Sequence, residues 1–304
     1  MTSKKLEVRA RVLTETRAFF ASRGYLEVET PLAVPSPGLD LHLDAFSLAP
    51  SARARFLSTS PEYQMKRLLT DGYSRIVQIT RAFRAGELGE RHNPEFTILE
   101  FYRAGGVDAI MRDTEQLVAR VTGGLATVSG SSFDLLPPFD RMTVAEAYER
   151  YAGVPREEML QWASNDEDRF YRVLVDVVEP ALAKHPRAVF LTEYPTTQAS
   201  LARKKPDDPA VAERFELYVA GVELCNGFGE LTDPVEQRAR FVRDQEARTR
   251  VGKPIYPIDE RFLDALVIGL PACAGNAVGF DRLVAIAAGT TVIGEVMAFT
   301  DDEL

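Results

Sequence analysis

Three stretches of the 304-residue sequence concentrate side chains able to do chemistry. The densest runs from Phe83-Arg84-Ala85-Gly86-Glu87, through His92-Asn93-Pro94-Glu95-Phe96, to Leu99-Glu100-Phe101-Tyr102. Alternation along a strand places Phe96, Ile98, Glu100 and Tyr102 on one face, where an aromatic plate, a carboxylate and a phenol could hold a heterocyclic base and an ammonium group. Arg84 stands before the loop, where a planar guanidinium can fork onto a phosphate and stabilise charge that develops during transfer; His92 could clamp further phosphates. The second stretch is Glu223-Leu224-Cys225-Asn226-Gly227-Phe228-Gly229-Glu230. Its two carboxylates beside an Asn are hard oxygen ligands of the kind magnesium accepts while it also holds phosphates. A regular strand would turn Glu223 and Asn226 to opposite faces, so this reading requires a bulge or turn at Gly227. The third stretch is Gly275-Asn276-Ala277-Val278-Gly279-Phe280-Asp281-Arg282-Leu283. Small residues at 275, 277 and 279 would let a ligand approach the backbone, and Arg282 would begin a helix that ends near Gly289. Taken singly, each stretch also fits a half-buried hairpin, a charged edge strand or a Gly-rich turn.

The elements that must position these residues are partly legible. Leu6, Leu13 and Phe20 recur at seven-residue spacing, so the chain should open with an amphipathic helix closed by Gly24. Tyr25 to Thr30 alternates as a strand that Pro31 ends. Ile76-Val77-Gln78-Ile79 and Phe96 to Tyr102 form a hairpin around the polar loop Gly86 to Pro94. Asp108 to Val121 reads as a helix, while Phe133 to Pro186 mixes helical stretches with Pro-rich breaks and carries no interpretable motif. Phe190 to Ser200 and Arg214 to Asn226 look extended, with Gly221 supplying a tight turn, and the sheet is expected to be antiparallel. Asp233-Pro234-Val235-Glu236 carries an N-cap, a proline at the first helical position and a Glu at the reciprocal capping position; Gly252 closes that helix.

Composition bounds the rest. The chain is 45% hydrophobic and 27% charged, which excludes disordered, collagenous and disulfide-scaffold classes. A net charge of −9 argues against a broad nucleic-acid surface. Cys225 and Cys273 lack metal-site spacing and read as buried thiols. No secretory pattern opens the chain, and the apolar window Leu263 to Phe280 is broken by Asp264, Pro271 and Asn276, so a cytoplasmic protein without a membrane span is expected. With no repeat and no Gly/Ser linker, residues 1–304 are expected to form a single catalytic domain.

In order, these stretches resemble the class II lysyl-tRNA synthetases. Gly24-Tyr25-Leu26-Glu27-Val28-Glu29-Thr30-Pro31 resembles motif 1, Arg84 through Tyr102 motif 2 and Gly275 through Arg282 motif 3. Thr59-Ser60-Pro61-Glu62 resembles the amino-acid-binding loop, and Glu223 to Glu230 the segment that holds magnesium and the lysine side chain. Only about twenty residues precede Gly24, too few for the anticodon-reading barrel of a full synthetase, so no such domain is expected. The truncated core resembles the elongation factor P lysine ligase family, a likeness supported by Ser60 to Leu69, Gln198-Ala199-Ser200-Leu201, Val211 to Glu216, and Ala277 where the synthetases carry Gly.

The resemblance implies an α+β fold, the class II synthetase core with a mainly antiparallel sheet flanked by helices. It implies an ATP- and Mg2+-dependent enzyme that activates lysine or (R)-β-lysine as an adenylate. The acyl group would go to a lysine side chain of elongation factor P, with tRNA an unlikely acceptor, and the enzyme would be a homodimer joined through motif 1. Arg84 and Arg282 would be catalytic, binding the phosphates. Glu87, His92, Asn93 and Phe96, with Leu224 and Gly279, would complete the ATP site. Glu223 and Glu230 would hold the metal. Ser60, Pro61, Glu62, Glu100 and Tyr102 would contact the amino acid, as would Asn226, Glu230 and Ala277. Two positions depart from the family. Gly86 stands where a Glu usually reaches adenine, leaving Glu87, a backbone carbonyl or weaker nucleotide binding as alternatives; Gly229 stands where the ligases tend to have His. The competing readings are a truncated tRNA-lysylating enzyme and a non-catalytic synthetase-like regulator.

Overall fold

The computed structural model describes residues 2–48 and 53–304. The opening periodicity produces helix α1 (Thr2–Ser22), and Gly24, at φ +72°, turns the chain out of it. Eight strands then build one sheet: β1 (Leu26–Glu27), β2 (Arg75–Phe83), β3 (Glu95–Ala104), β4 (Asp140–Thr143), β5 (Val189–Thr192), β6 (Arg214–Val219), β7 (Val222–Gly229) and β8 (Cys273–Gly279). Their spatial order is β1-β2-β3-β8-β7-β6-β5-β4. The six central strands pair antiparallel, and β1 and β4 join the two edges in parallel.

The helices are α2 (Glu62–Thr70), α3 (Val107–Thr122), α4 (Val144–Ala152), α5 (Arg156–Asn165), α6 (Glu167–Val173), α7 (Glu179–Leu182), α8 (Pro234–Arg250), α9 (Glu260–Gly269) and α10 (Phe280–Ala287). Apolar residues of α1, α3 and α10 pack with Leu99, Phe101, Leu217 and Val278 into one core on one face of the sheet. Residues 98, 100 and 102 of β3 alternate to the opposite face, which α2, α8 and α9 flank with a second cluster around Tyr63, Phe241 and Phe262. A third cluster around Tyr148, Trp162 and Phe170 fills the helical layer α4–α7, which occupies the stretch whose sequence carried no motif.

The structure differs from the sequence expectations in local ways. Between Tyr25 and Thr30 only Leu26 and Glu27 are laddered; the Val28 N–H still donates to Val77 O at 2.9 Å before the chain leaves the sheet edge. The extended stretch after Val189 ends at Thr192, because Glu193 takes φ +59° and Pro195 leads into a 3₁₀ turn. Asp233 caps α8 as expected, but Glu236 does not reciprocate: its carboxylate is drawn to Arg240 (2.7 Å) and Lys204 (2.8 Å). Cys225 and Cys273 are buried, and burial pushes both thiols up, in keeping with inert core cysteines. Among the described residues, no helix is long and apolar enough to cross a membrane.

Candidate active site

A cavity of about 650 Å³ opens on the face of the sheet away from α1, α3 and α10. Its floor is a row of residues in register across four strands. Glu100 of β3 pairs with Ala277 of β8, Ala277 with Asn226 of β7, and Asn226 with Glu216 of β6. Directly paired residues present their side chains on the same face. Residues far apart along the chain therefore become neighbours.

The phosphate-suited end is built on the β2–β3 loop. Arg84 follows the end of β2, and its N–H donates to Pro94 O at 2.9 Å, closing the base of the loop. Its guanidinium lies 5.0 Å from the centre of the Phe96 ring, and its Nε is buried without a hydrogen-bond partner. A buried donor left unpaired costs about 1–3 kcal/mol, so a phosphate oxygen suits this position. Gly86 sits at φ +81°, a turn that favours glycine over the Glu expected there, and it brings the Glu87 carboxylate within 3.7 Å of Arg84.

Arg282 starts α10 and lies across from this loop. Its Nη1 donates to Glu223 O at 2.9 Å, and its Nη2 is 2.8 Å from His92 Nε2. Burial, helped by the Arg282 charge, lowers the His92 pKa, so a neutral imidazole accepts from Arg282. A methyl on Gly279 would stand 3.2 Å from Cδ of Arg282, so this glycine makes room for the arginine stem rather than for ligand alone. Asn93 lines the cavity, but its amide is spent on the loop: Nδ2 donates to Glu95 O (2.7 Å) and Oδ1 accepts from Asp301 N (3.0 Å).

The opposite end is acidic. The segment Thr59-Ser60-Pro61-Glu62 leads into α2; the Ser60 hydroxyl donates to Glu100 Oε1 and accepts from Glu62 N at 3.1 Å. Tyr102 donates to Glu100 Oε2 at 3.0 Å. Tyr102 is 3% exposed and backs the cavity wall rather than forming it. Burial, with Glu62 nearby, pushes the Glu100 carboxyl up to about 7. Glu62 pairs with Lys66 at 2.5 Å, and Lys66 also pairs with Glu230; both members of the second pair are fully buried. Burial works against the Lys66 charge, but the two carboxylates outweigh it and raise its pKa.

This corrects one sequence expectation. Glu230 is not a metal partner of Glu223, because it is committed to Lys66 and crowded against Tyr102 over Gly275. A methyl on Gly275 would lie 2.3 Å from Tyr102 and 2.4 Å from Glu230. The same contacts show that Gly275, which lines the cavity, also makes room for these two side chains.

The carboxylate beside Glu223 is Glu216. The β6–β7 register shifts between Leu217 and Tyr218, which pair with Cys225 and Glu223, so Leu224 is the extra residue. The expected bulge therefore sits at Leu224 instead of Gly227, and it turns Glu223 onto the cavity face with Asn226. Burial, then the Glu216 charge, raises the Glu223 pKa, with Arg282, 3.4 Å from Glu223 Oε2, and Arg214 and Arg84 opposing. Glu216 Oε2 accepts from Tyr194 (2.5 Å) and Tyr218 (2.7 Å), and Oε1 from Arg214 (2.6 Å). Of its roughly four lone-pair positions one stays open on Oε1, so the pair fits a hard divalent ion that shares its shell with phosphate. Arg214 also donates from Nε to Asn226 Oδ1 at 3.1 Å. Sequence reasoning missed Glu216, Arg214 and Lys66 as site residues. Arg214 and Glu216 stand two apart on a strand, a same-face signal that could have been read; nothing local marks Lys66 as a buried counter-ion.

The family model for tRNA synthetases class II (D, K and N) matches residues 1–303 of this chain. An elongation factor P--(R)-beta-lysine ligase of Haemophilus influenzae (strain PittGG) is 40% identical over 321 residues, covering 98% of this chain and 95% of that protein. Proteins of the same name from Pasteurella multocida (strain Pm70) and Avibacterium paragallinarum are 42% and 39% identical, covering 97% and 96% of this chain and 94% of each relative.

Proposed function

From the chain's place in the class II tRNA synthetases, where it belongs to the elongation factor P--(R)-beta-lysine ligase family, we propose that it activates (R)-β-lysine with ATP and transfers the acyl group to a lysine side chain of elongation factor P. One observation carries the substrate assignment: the two ends of the cavity are oppositely charged. Arg84 and Arg282 face one end, while Glu62 and Glu100 line the other, with the Lys66 ammonium buried behind them between Glu62 and Glu230. An amino acid with two ammonium groups complements that excess of carboxylates, and a triphosphate complements the arginines.

In activation, a carboxylate oxygen of the amino acid bonds to the α-phosphorus as the α–β phosphoanhydride bond breaks and pyrophosphate leaves with the electron pair. Arg84 and Arg282 bind and orient the phosphates, so catalysis is positioning and charge stabilisation without a protein nucleophile. Phe96 offers a face for adenine. Glu216 and Glu223 would hold Mg2+, which supplies charge neutralisation at the phosphates. Ser60 and Tyr102 fix Glu100 for an ammonium group, and Ala277 sits between Glu100 and Asn226, where one methyl shapes the amino-acid site. In transfer, the acceptor amine bonds to the acyl carbon, AMP leaves, and the nitrogen loses one proton.

The catalytic unit is proposed to be a homodimer; exposed Leu26, Leu32 and Tyr73 near the β1 edge support this reading. The net charge of −9 favours a protein acceptor over tRNA. The test incubates enzyme, ATP and either lysine isomer with elongation factor P or bulk tRNA. A mass gain of one lysyl group on the factor is expected. Charged tRNA beside an unmodified factor would sink the assignment.

A further inference from the structure

Arg84 and Arg282 stand on elements far apart in the chain, and one cluster of contacts behind the cavity fixes their spacing. Strand β8 ends at Gly279, which pairs with Ile98 of β3, and Phe280 then opens α10. The next amide of β3 would lose its partner where β8 leaves the sheet; instead, the Thr97 N–H donates to Asp281 Oδ2 at 2.7 Å. Asp281 is buried, at 3% exposure, so its carboxylate calls for a cation. Arg9 of α1 supplies it. Its Nη1 donates to Asp281 Oδ1 at 2.6 Å and its Nη2 to Thr97 Oγ1 at 2.8 Å. The guanidinium also lies 5.6 Å from the centre of the Phe280 ring. Arg9, Asp281 and Thr97 thus close a triangle across α1, α10 and β3, and the planar fork of arginine grips two of its sides at once.

A residue of the phosphate-suited end adjoins each of the other two corners. Phe96 precedes Thr97 and alternates to the cavity face, where the Arg84 guanidinium lies 5.0 Å from its ring centre. Arg282 follows Asp281 and lines the cavity from the first turn of α10. A shift of α10 along β3 would change the span between Arg282 and the Arg84–Phe96 pair while leaving Glu62 and Glu100, at the opposite end, in place.

We propose that Arg9, Asp281 and Thr97 are positioning residues for ATP: they tie the start of α10 to β3 and so set the distance between Arg282 and the Arg84–Phe96 pair. The proposal rests on the reading of Arg84, Arg282 and Phe96 as the ATP site. Misplacing a binding group by about 1 Å can cost about 10²-fold in rate.

The test measures ATP–pyrophosphate exchange with β-lysine, varying each substrate in turn, with thermal melts followed by circular dichroism to verify folding. Asp281→Ala and Arg9→Met are each expected to raise the KM for ATP by about tenfold or more and to leave the KM for β-lysine within about twofold of wild type. Arg9→Lys, which keeps the charge but not the fork, should fall between wild type and Arg9→Met. The double variant Arg9→Met/Asp281→Ala leaves neither charge without its partner, so it preserves the readout if Asp281→Ala does not fold. Its KM for ATP should rise no further than that of the more affected single variant, since both changes break one triangle. A wild-type KM for ATP in a folded Asp281→Ala or double variant, an equal rise in both KM values, Arg9→Lys as impaired as Arg9→Met, or additive losses in the double variant would each overturn the proposal. Arg282→Ala separates the two levels. If it leaves exchange unchanged, the ATP site itself is misread and the proposal falls with it; if it abolishes exchange while the Asp281 and Arg9 variants keep the wild-type KM for ATP, only the triangle fails.

Discussion

Replacing Lys66 by methionine keeps the length of the side chain and removes its charge, which leaves Glu230 fully buried without a cation. Two routes give the magnitude. Breaking one side of a buried ion pair costs about 3–5 kcal/mol. Alternatively, the variant can hold Glu230 neutral; at pH 7, protonating a carboxyl of ordinary pKa near 4.3 costs about 1.36 kcal/mol for each of roughly 2.7 units, or about 3.7 kcal/mol. The routes agree, so Lys66→Met should lose about 3–4 kcal/mol in urea unfolding at pH 7. Burial already pushes the Glu230 carboxyl up in the intact protein, with Lys66 opposing, and without Lys66 that push is unopposed. A carboxyl raised in the folded state favours folding when protonated, so the deficit should be largest above neutral pH and shrink as pH falls towards the ordinary carboxyl range. Lys66→Met/Glu230→Gln, which removes both charges, should recover most of the loss. A single variant that loses less than about 1 kcal/mol, or a double variant as unstable as the single one, would refute the buried-pair argument.

Arg84→Ala and Arg282→Ala should each slow ATP–pyrophosphate exchange by about 10²-fold or more with an unchanged circular dichroism spectrum, since each removes a charged donor from the phosphate end. Ala277→Gly should move the ratio of exchange rates from β-lysine towards α-lysine by about 1–3 kcal/mol, the worth of one methyl in a pocket. Gly275→Ala should destabilise the fold by about 1–3 kcal/mol in urea titrations, because its methyl would collide with Tyr102 and Glu230. Light scattering on the purified protein should report about twice 33.8 kDa.

The chemistry of the phosphate-suited end is legible in the amino-acid sequence itself. Alternation from Phe96 to Tyr102, a polar loop and a preceding strand specify a hairpin with a local signal, and that hairpin stands at Arg75–Phe83 and Glu95–Ala104. The opening helix closed by Gly24 and the capped helix after Asp233 are legible for the same reason: caps and periodicity involve residues within a few positions of one another. The stretch from Phe133 to Pro186 is not, because its helices bury their apolar faces mainly against each other and the sheet edge, and short helices interrupted by proline carry little periodic signal.

Only the tertiary structure could decide which residues share the cavity floor. Glu100, Ala277, Asn226 and Glu216 meet because four strands settle in one register, and register between strands distant in sequence is set by packing of both sheet faces, not by local propensity. The residue types of the metal segment announced hard ligands. A one-residue bulge at Leu224 turns Glu223 onto the face that Asn226 and Glu216 share, and the buried pair with Lys66 withdraws Glu230 from that face. Lys66 shows the same limit in charge. On the sequence it is one basic residue of a helix, and only its burial between Glu62 and Glu230 converts it into the counter-ion that sets the electrostatics of the amino-acid end.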